Sequence, residues 1–155
     1  MLNTYEELLV EAEKEGLTVI EKNFKSKAKG LCKGYKVGIR KDLSISDKTC
    51  TLAEEMGHVK LTVGDILDLN NLENTKQEYK ARLYSYNRLI GLKRLVDARL
   101  AGCENKHDTA EFLNVTEEFL NSALECYKSK YGVSTKVDNY TIFFEPNLLV
   151  YSDLY

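Results

Sequence analysis

The sequence predicts an α+β fold in which strands and helices occupy separate stretches of the chain. Three observations carry this. Apolar residues recur at helical spacing from Tyr5 to Ala12, short strand-like runs cluster around Gly34, and a long series of helical patterns leads into a strand-like tail. Strands that are segregated rather than alternating with helices argue against a parallel α/β sheet.

The first helix is signalled by Thr4 as cap and by Tyr5, Leu8, Leu9 and Ala12, with Gly16 as its end. Leu17–Ile20 reads as a short strand, and Leu31–Lys33 and Tyr35–Ile39 as a hairpin-like pair flanking Gly34. Ser44 or Ser46 caps the next helix, whose apolar stripe is Leu52, Met56 and Val59 and whose breaker is Gly64. Asn70–Asn74 reads as a polar loop. A helical pattern then runs from Lys76 to about Leu100 through Ala81, Tyr84, Leu89, Leu92, Leu95 and Val96, with Gly91 as a break or kink. Helices over Asp108–Leu113 and Thr116–Tyr131 follow, joined by a tight turn at Asn114–Val115. Tyr140–Phe144 and Leu148–Tyr151 form a terminal hairpin around Glu145-Pro146-Asn147.

A length of 155 residues suits one compact domain, and a hydrophobic fraction of 43% is enough to fill its core. The net charge of −2 gives no global attraction to nucleic acid or to an anionic membrane. The acid-rich N-terminus does not resemble a signal peptide, and no apolar run approaches the roughly 20 residues of a membrane span. Cys32, Cys50, Cys103 and Cys126 form no CxxC pair, so reduced thiols in the cytoplasm are expected. Charge is uneven locally. Lys/Arg residues at 22, 25, 27, 29, 33, 36, 40, 41 and 48 face only Asp42 and Asp47 in residues 22–48. Such a stretch can meet a phosphate backbone or an acidic partner. The preferred reading is a solvated strand edge whose lysines discourage edge-to-edge pairing.

The chemistry-bearing segment is Cys50-Thr-Leu-Ala-Glu-Glu-Met-Gly-His-Val-Lys-Leu-Thr62. On a helix, Glu54 and His58 at i and i+4 project from one face, where they can grip a single ion. Glu55 lies about 100° around from Glu54, within reach of a water beside that ion without being a ligand. Gly57 sits inside the helix at a penalty of about 1 kcal/mol relative to alanine, so another backbone, a substrate strand or a sheet edge, is expected to approach it. The competing reading makes Glu54 and Glu55 solvent-facing acids and His58 a half-buried histidine near a helix end. His107, the other histidine, is read as surface.

This segment resembles the active-site helix of the ImmA/IrrE metallopeptidases. Glu54-Glu55-Met56-Gly57-His58 stands where that family usually carries HExxH. The EExGH form, followed by Thr62-Val-Gly-Asp-Ile66, resembles a phage and mobile-element branch of the family. Lys76-Gln-Glu-Tyr-Lys-Ala-Arg82 resembles the branch's second motif, and the likeness continues loosely through Thr116–Leu120. The resemblance implies a zincin-like minimal metallopeptidase fold with a small sheet packed on the active-site helix, over residues 1–100. Residues 101–155 then form a helical pair and terminal hairpin packed on it. It implies Glu54, His58 and Glu78 as metal ligands and Glu55 as general base; Asp65, just past the helix, is the substitute ligand if Glu54 points away. One imidazole with two carboxylates is a harder donor set than two histidines with one acid. It leaves the ion a weaker Lewis acid and admits manganese or iron beside zinc.

The implied function is a cytoplasmic metal-dependent endopeptidase, a hydrolase acting on a specific protein. On mobile elements that protein is expected to be a helix-turn-helix repressor, which makes the chain an anti-repressor. The alternatives are a non-catalytic protein-binding pseudo-peptidase and a DNA-binding regulatory protein. Ala110–Leu120 has helix-turn-helix spacing, but its second helix opens Thr116-Glu117-Glu118, which repels phosphate. A packing pair of helices is the preferred reading, with neither nucleic acid nor membrane as partner.

Overall fold

The protein, seen in a computed structural model, is described over residues 1–61 and 72–154, the side chains of residues 72–74 excepted. Thr62, Gly64, Asp65 and the Asn70–Asn71 pair lie outside the described residues. Two compact units divide the chain, Met1–Ser85 and Tyr86–Tyr155, so the division falls inside a helix. The α+β class holds. No helix among the described residues is long and apolar enough to cross a membrane.

In the first unit, α1 (Thr4–Lys14) is capped by Asn3, whose side chain accepts from the Glu6 amide at 2.8 Å, so the cap lies one residue before Thr4. Gly16 follows with φ +82, a left-handed conformation that glycine adopts without strain. Strands β1 (Thr18–Lys22), β2 (Gly30–Lys33) and β3 (Lys36–Arg40) form a sheet in the order β1-β3-β2. The hairpin around Gly34 is present, with Lys33 paired to Lys36 and Gly34 at φ +62. Pairing of β1 parallel to β3, Val19 beside Val37, has no local signal in the sequence. Val37 and Ile39 of β3 are buried together with Leu8, Ala12, Leu52 and Met56, which places the core between the sheet and the first two helices.

Helix α2 (Ile45–Leu61) starts directly after Ser44, one of the two expected caps, and the Ser44 hydroxyl accepts from the Asp47 amide at 3.1 Å. Lys48 reaches back to Glu21 at 2.6 Å, and Tyr5 donates to the same carboxylate at 3.0 Å, so one acid ties α1, β1 and α2 together. Helix α3 (Leu72–Leu89) begins inside the stretch read as loop at Asn70–Asn74.

In the second unit, α4 (Gly91–Leu100) begins at Gly91 with φ +66, a true break in the long helical pattern. The buried Tyr127 hydroxyl accepts from the Gly91 amide at 3.2 Å and donates to Asn87 at 3.0 Å. Helices α5 (Lys106–Leu113) and α6 (Glu117–Tyr131) stand where periodicity placed them. Asn114 at φ +59 ends the first, and the Thr116 hydroxyl caps the second by accepting from the Phe119 amide. Strands β4 (Ser134–Val137), β5 (Tyr140–Phe143) and β6 (Leu149–Ser152) form an antiparallel meander. The terminal hairpin is β5–β6; β4 is an additional strand, turned at Asp138-Asn139.

Candidate active site on helix α2

The motif lies in the C-terminal half of α2, facing α3 on one side and the edge strand β2 on the other. Gly57 sets the first contact. A Cβ added there would stand 2.5 Å from the Ala81 carbonyl oxygen and 3.1 Å from the Tyr84 ring. The approaching backbone is therefore the neighbouring helix, not a substrate strand or a sheet edge. This close approach brings the preceding turn of α3 alongside His58. His58 Nε2 lies 3.5 Å from Glu78 Oε1, and both side chains are only partly exposed. The same Glu78 oxygen is 3.8 Å from Arg82 Nε one turn on. Lys60, bonded to Glu15 at 2.7 Å and 5.0 Å from the centre of the Tyr84 ring, fixes the end of α2.

The second contact is made by Gly30 on β2. A Cβ at this position would meet Thr51 Cγ2 at 2.5 Å, Glu55 Cγ at 3.2 Å and Glu55 Oε1 at 3.4 Å. Glycine in a strand commonly marks such a close approach. The edge strand thus closes over the Glu55 side chain, and its carboxyl is pushed up to about 7, first by burial and then by the neighbouring carboxylates of Glu54 and Glu78. Cys32, two residues along β2, is raised by its own burial and by Glu55. Gly30 and Cys32 escaped the sequence reading. The signal available was a glycine at the mouth of a strand run.

Of the four expected site residues, His58 and Glu78 are brought into contact, and Glu54 and Glu78 both act on Glu55 through their charge. Asp65 lies outside the described residues. The donor types suit a divalent cation, one imidazole among carboxylates whose mutual repulsion a cation relieves. Among the described residues, no three His, Cys, Asp or Glu side chains converge tightly enough to hold a metal. His107 is exposed, 3.3 Å from Glu111 and 3.7 Å from Glu117.

Helix α2 thus carries an acid and a histidine at i and i+4 with a half-buried acid beside them, and Glu78 on the next helix faces the histidine. The chain belongs to the Peptidase M78 family, the IrrE N-terminal-like domain, whose model it matches over residues 12–143. That range includes all of α2 and α3. No curated protein and no solved structure matches the chain.

Proposed function

We propose that this chain is a metal-dependent endopeptidase with a narrow protein substrate, a helix-turn-helix repressor of a phage or mobile element. The observation that supports it is the His58–Glu78 pair at 3.5 Å beside a half-buried Glu55. Membership of a peptidase family supports the reaction class. The EExGH motif, with its likeness to mobile-element members, supports the repressor as substrate. Glu54, His58 and Glu78 would hold the ion. Zinc is the first choice, with manganese or iron admitted by the two carboxylates.

Once bound, a divalent ion supplies a Lewis acid that polarises the scissile carbonyl. The chain's own residues handle the proton. Glu55, held near the helix surface by Gly30, accepts a proton from the attacking water and returns it to the leaving amine. A carboxyl poised at about 7 exchanges protons readily near neutral pH. Arg82 Nε lies 3.8 Å from the same Glu78 oxygen that faces His58. The pseudo-peptidase alternative draws on the lack, among the described residues, of three candidate donors grouped tightly enough for a metal. The DNA-binding alternative has to contend with Glu117 and Glu118 in the first turn of α6.

Metal content after purification without chelators tests the ligand set. The expected result is about one divalent ion per chain, lost in Glu54→Ala/His58→Ala. A folded protein that takes up no metal under any condition leaves the binding-only reading. Glu54→His sharpens the test, because a second imidazole suits zinc better. Calorimetric titration should show tighter zinc binding, and an unchanged affinity removes Glu54 from the ligands and promotes Asp65.

A further inference from the structure

The solvent side of the first sheet has its own organisation, independent of the peptidase reading. Val37 and Ile39 point into the core, so Lys36, Gly38 and Arg40 of β3 point outward. Ile20 and Leu31 pair with Gly38 from either side and are 51% and 54% exposed. The Phe24 ring lies over Gly38, 3.4 Å from where a Cβ would stand, and completes an apolar row across the three strands.

Cations border this row on both sides. Lys33 is paired directly with Lys36 at one end, and Lys22 with Arg40 at the other. Like charges directly opposite on a sheet are destabilising, and among the described residues neither Lys33 nor Lys36 makes a salt bridge. Arg40 is partly occupied by the Ser26 carbonyl and by Asp42 at 3.9 Å. Edge protection does not account for the arrangement, because Lys36 and Arg40 belong to β3, the central strand. The two cationic borders are four residues apart on β3, about 13 Å. An α-helix with its side chains is about 10–12 Å across.

We propose that this face docks an acidic amphipathic helix of a partner protein, its apolar stripe on Ile20, Phe24 and Leu31 and its acidic borders on the two cationic rows. A helix is favoured over single-stranded nucleic acid because the row is mainly aliphatic. Its one aromatic ring is engaged from within, with the Lys22 ammonium 6.0 Å from the centre of the Phe24 ring, whereas base stacking needs presented aromatic faces.

The test uses the full chain and three labelled probes followed by fluorescence anisotropy. The first is a helical peptide of about 18 residues with a leucine stripe bordered by glutamates. The second has the leucines replaced by serine, and the third is a short single-stranded DNA of mixed sequence. The first peptide should bind, with affinity falling as salt is raised. Binding should weaken about tenfold in Lys33→Glu/Lys36→Glu and again in Ile20→Ser/Leu31→Ser, and stay unchanged in Lys106→Glu on the second unit. Circular dichroism checks folding, and Lys33→Gln/Lys36→Gln replaces the charge reversal if that variant unfolds. Four results would each overturn the proposal: no binding of the first peptide, equal binding of the serine peptide, tighter binding of the DNA, or unchanged affinity in the Lys33/Lys36 variants.

Discussion

Two tight helix contacts in this molecule use a glycine and a tyrosine to opposite ends. In the second unit, Gly91 breaks the helical run, and the Tyr127 hydroxyl accepts from the amide so exposed while donating to Asn87 Oδ1. The polar atoms there answer one another, and the tyrosine is fully buried. In the first unit, Gly57 lets the Ala81 carbonyl press against α2, with Tyr84 alongside. That contact places Glu78 against His58 and leaves three carboxylates interacting around a buried position. At Gly91 the polar groups are paired with one another, whereas around Glu55 like charges are held together. Chemistry is expected where a fold tolerates such a burden.

The comparison breaks most sharply at Glu55. If the enzyme reading holds, Glu55→Gln should lower cleavage of the partner about 10²–10⁴-fold, because the proton acceptor is gone. Metal content should persist. In chelator-treated protein the same change should stabilise the fold. The native carboxyl holds its proton up to about 7, whereas an unfolded one releases it near 4.5. Between those values the native state binds more protons, so wild-type stability falls as pH rises through the window. Glu55→Gln should flatten that fall, with a gain of up to about 3 kcal/mol above pH 7. Urea unfolding of both proteins across this range checks it, and parallel pH profiles would reject a buried carboxyl.

Gly57→Ala should destabilise the first unit by about 1–3 kcal/mol, since a backbone carbonyl 2.5 Å away has little room to yield. That exceeds the roughly 1 kcal/mol gained in helix propensity. Ala81→Gly should not rescue it, because the contact is to the carbonyl and not the side chain. Tyr127→Phe attacks the settled contact instead. It leaves the Gly91 amide and Asn87 without the hydroxyl, a loss of about 1–2 kcal/mol visible as a lower Tm, with no effect on metal uptake. The smallest effect is expected for Thr116→Ala, which removes the cap of α6 at about 1 kcal/mol.

What could be read from the sequence follows the same division. Helices α5 and α6 and their turn were legible because Asn114 and Thr116 are local signals acting on their own neighbours. The β2–β3 hairpin and the β5–β6 pair were legible through Gly34 and Glu145-Pro146-Asn147 for the same reason. Asp138-Asn139 is a turn signal of the same local kind, between β4 and β5. The parallel pairing of β1 with β3 is set by the burial of Val37 and Ile39 against residues far along the chain. No local pattern announces it. At the site, spacing placed Glu54 and His58 on one helix and marked Gly57 as a contact point. The partner of Gly57 and the lid formed by Gly30 needed three dimensions, since each depends on which element happens to lie opposite.

The two-residue turn at Gly34-Tyr35 also bears on how the molecule assembles. β2 and β3 meet across a very short loop, so their pairing closes with little entropy loss, and α2 follows β3 after only a few residues. β1 must find β3 from the far side of that hairpin. Folding is therefore expected to start from the hairpin and α2, the segment that seats Glu55 under Gly30, with α1 and β1 added afterwards. On that order the pocket for the reactive carboxyl forms early, and the Tyr5–Glu21–Lys48 link acts as a latch that closes late.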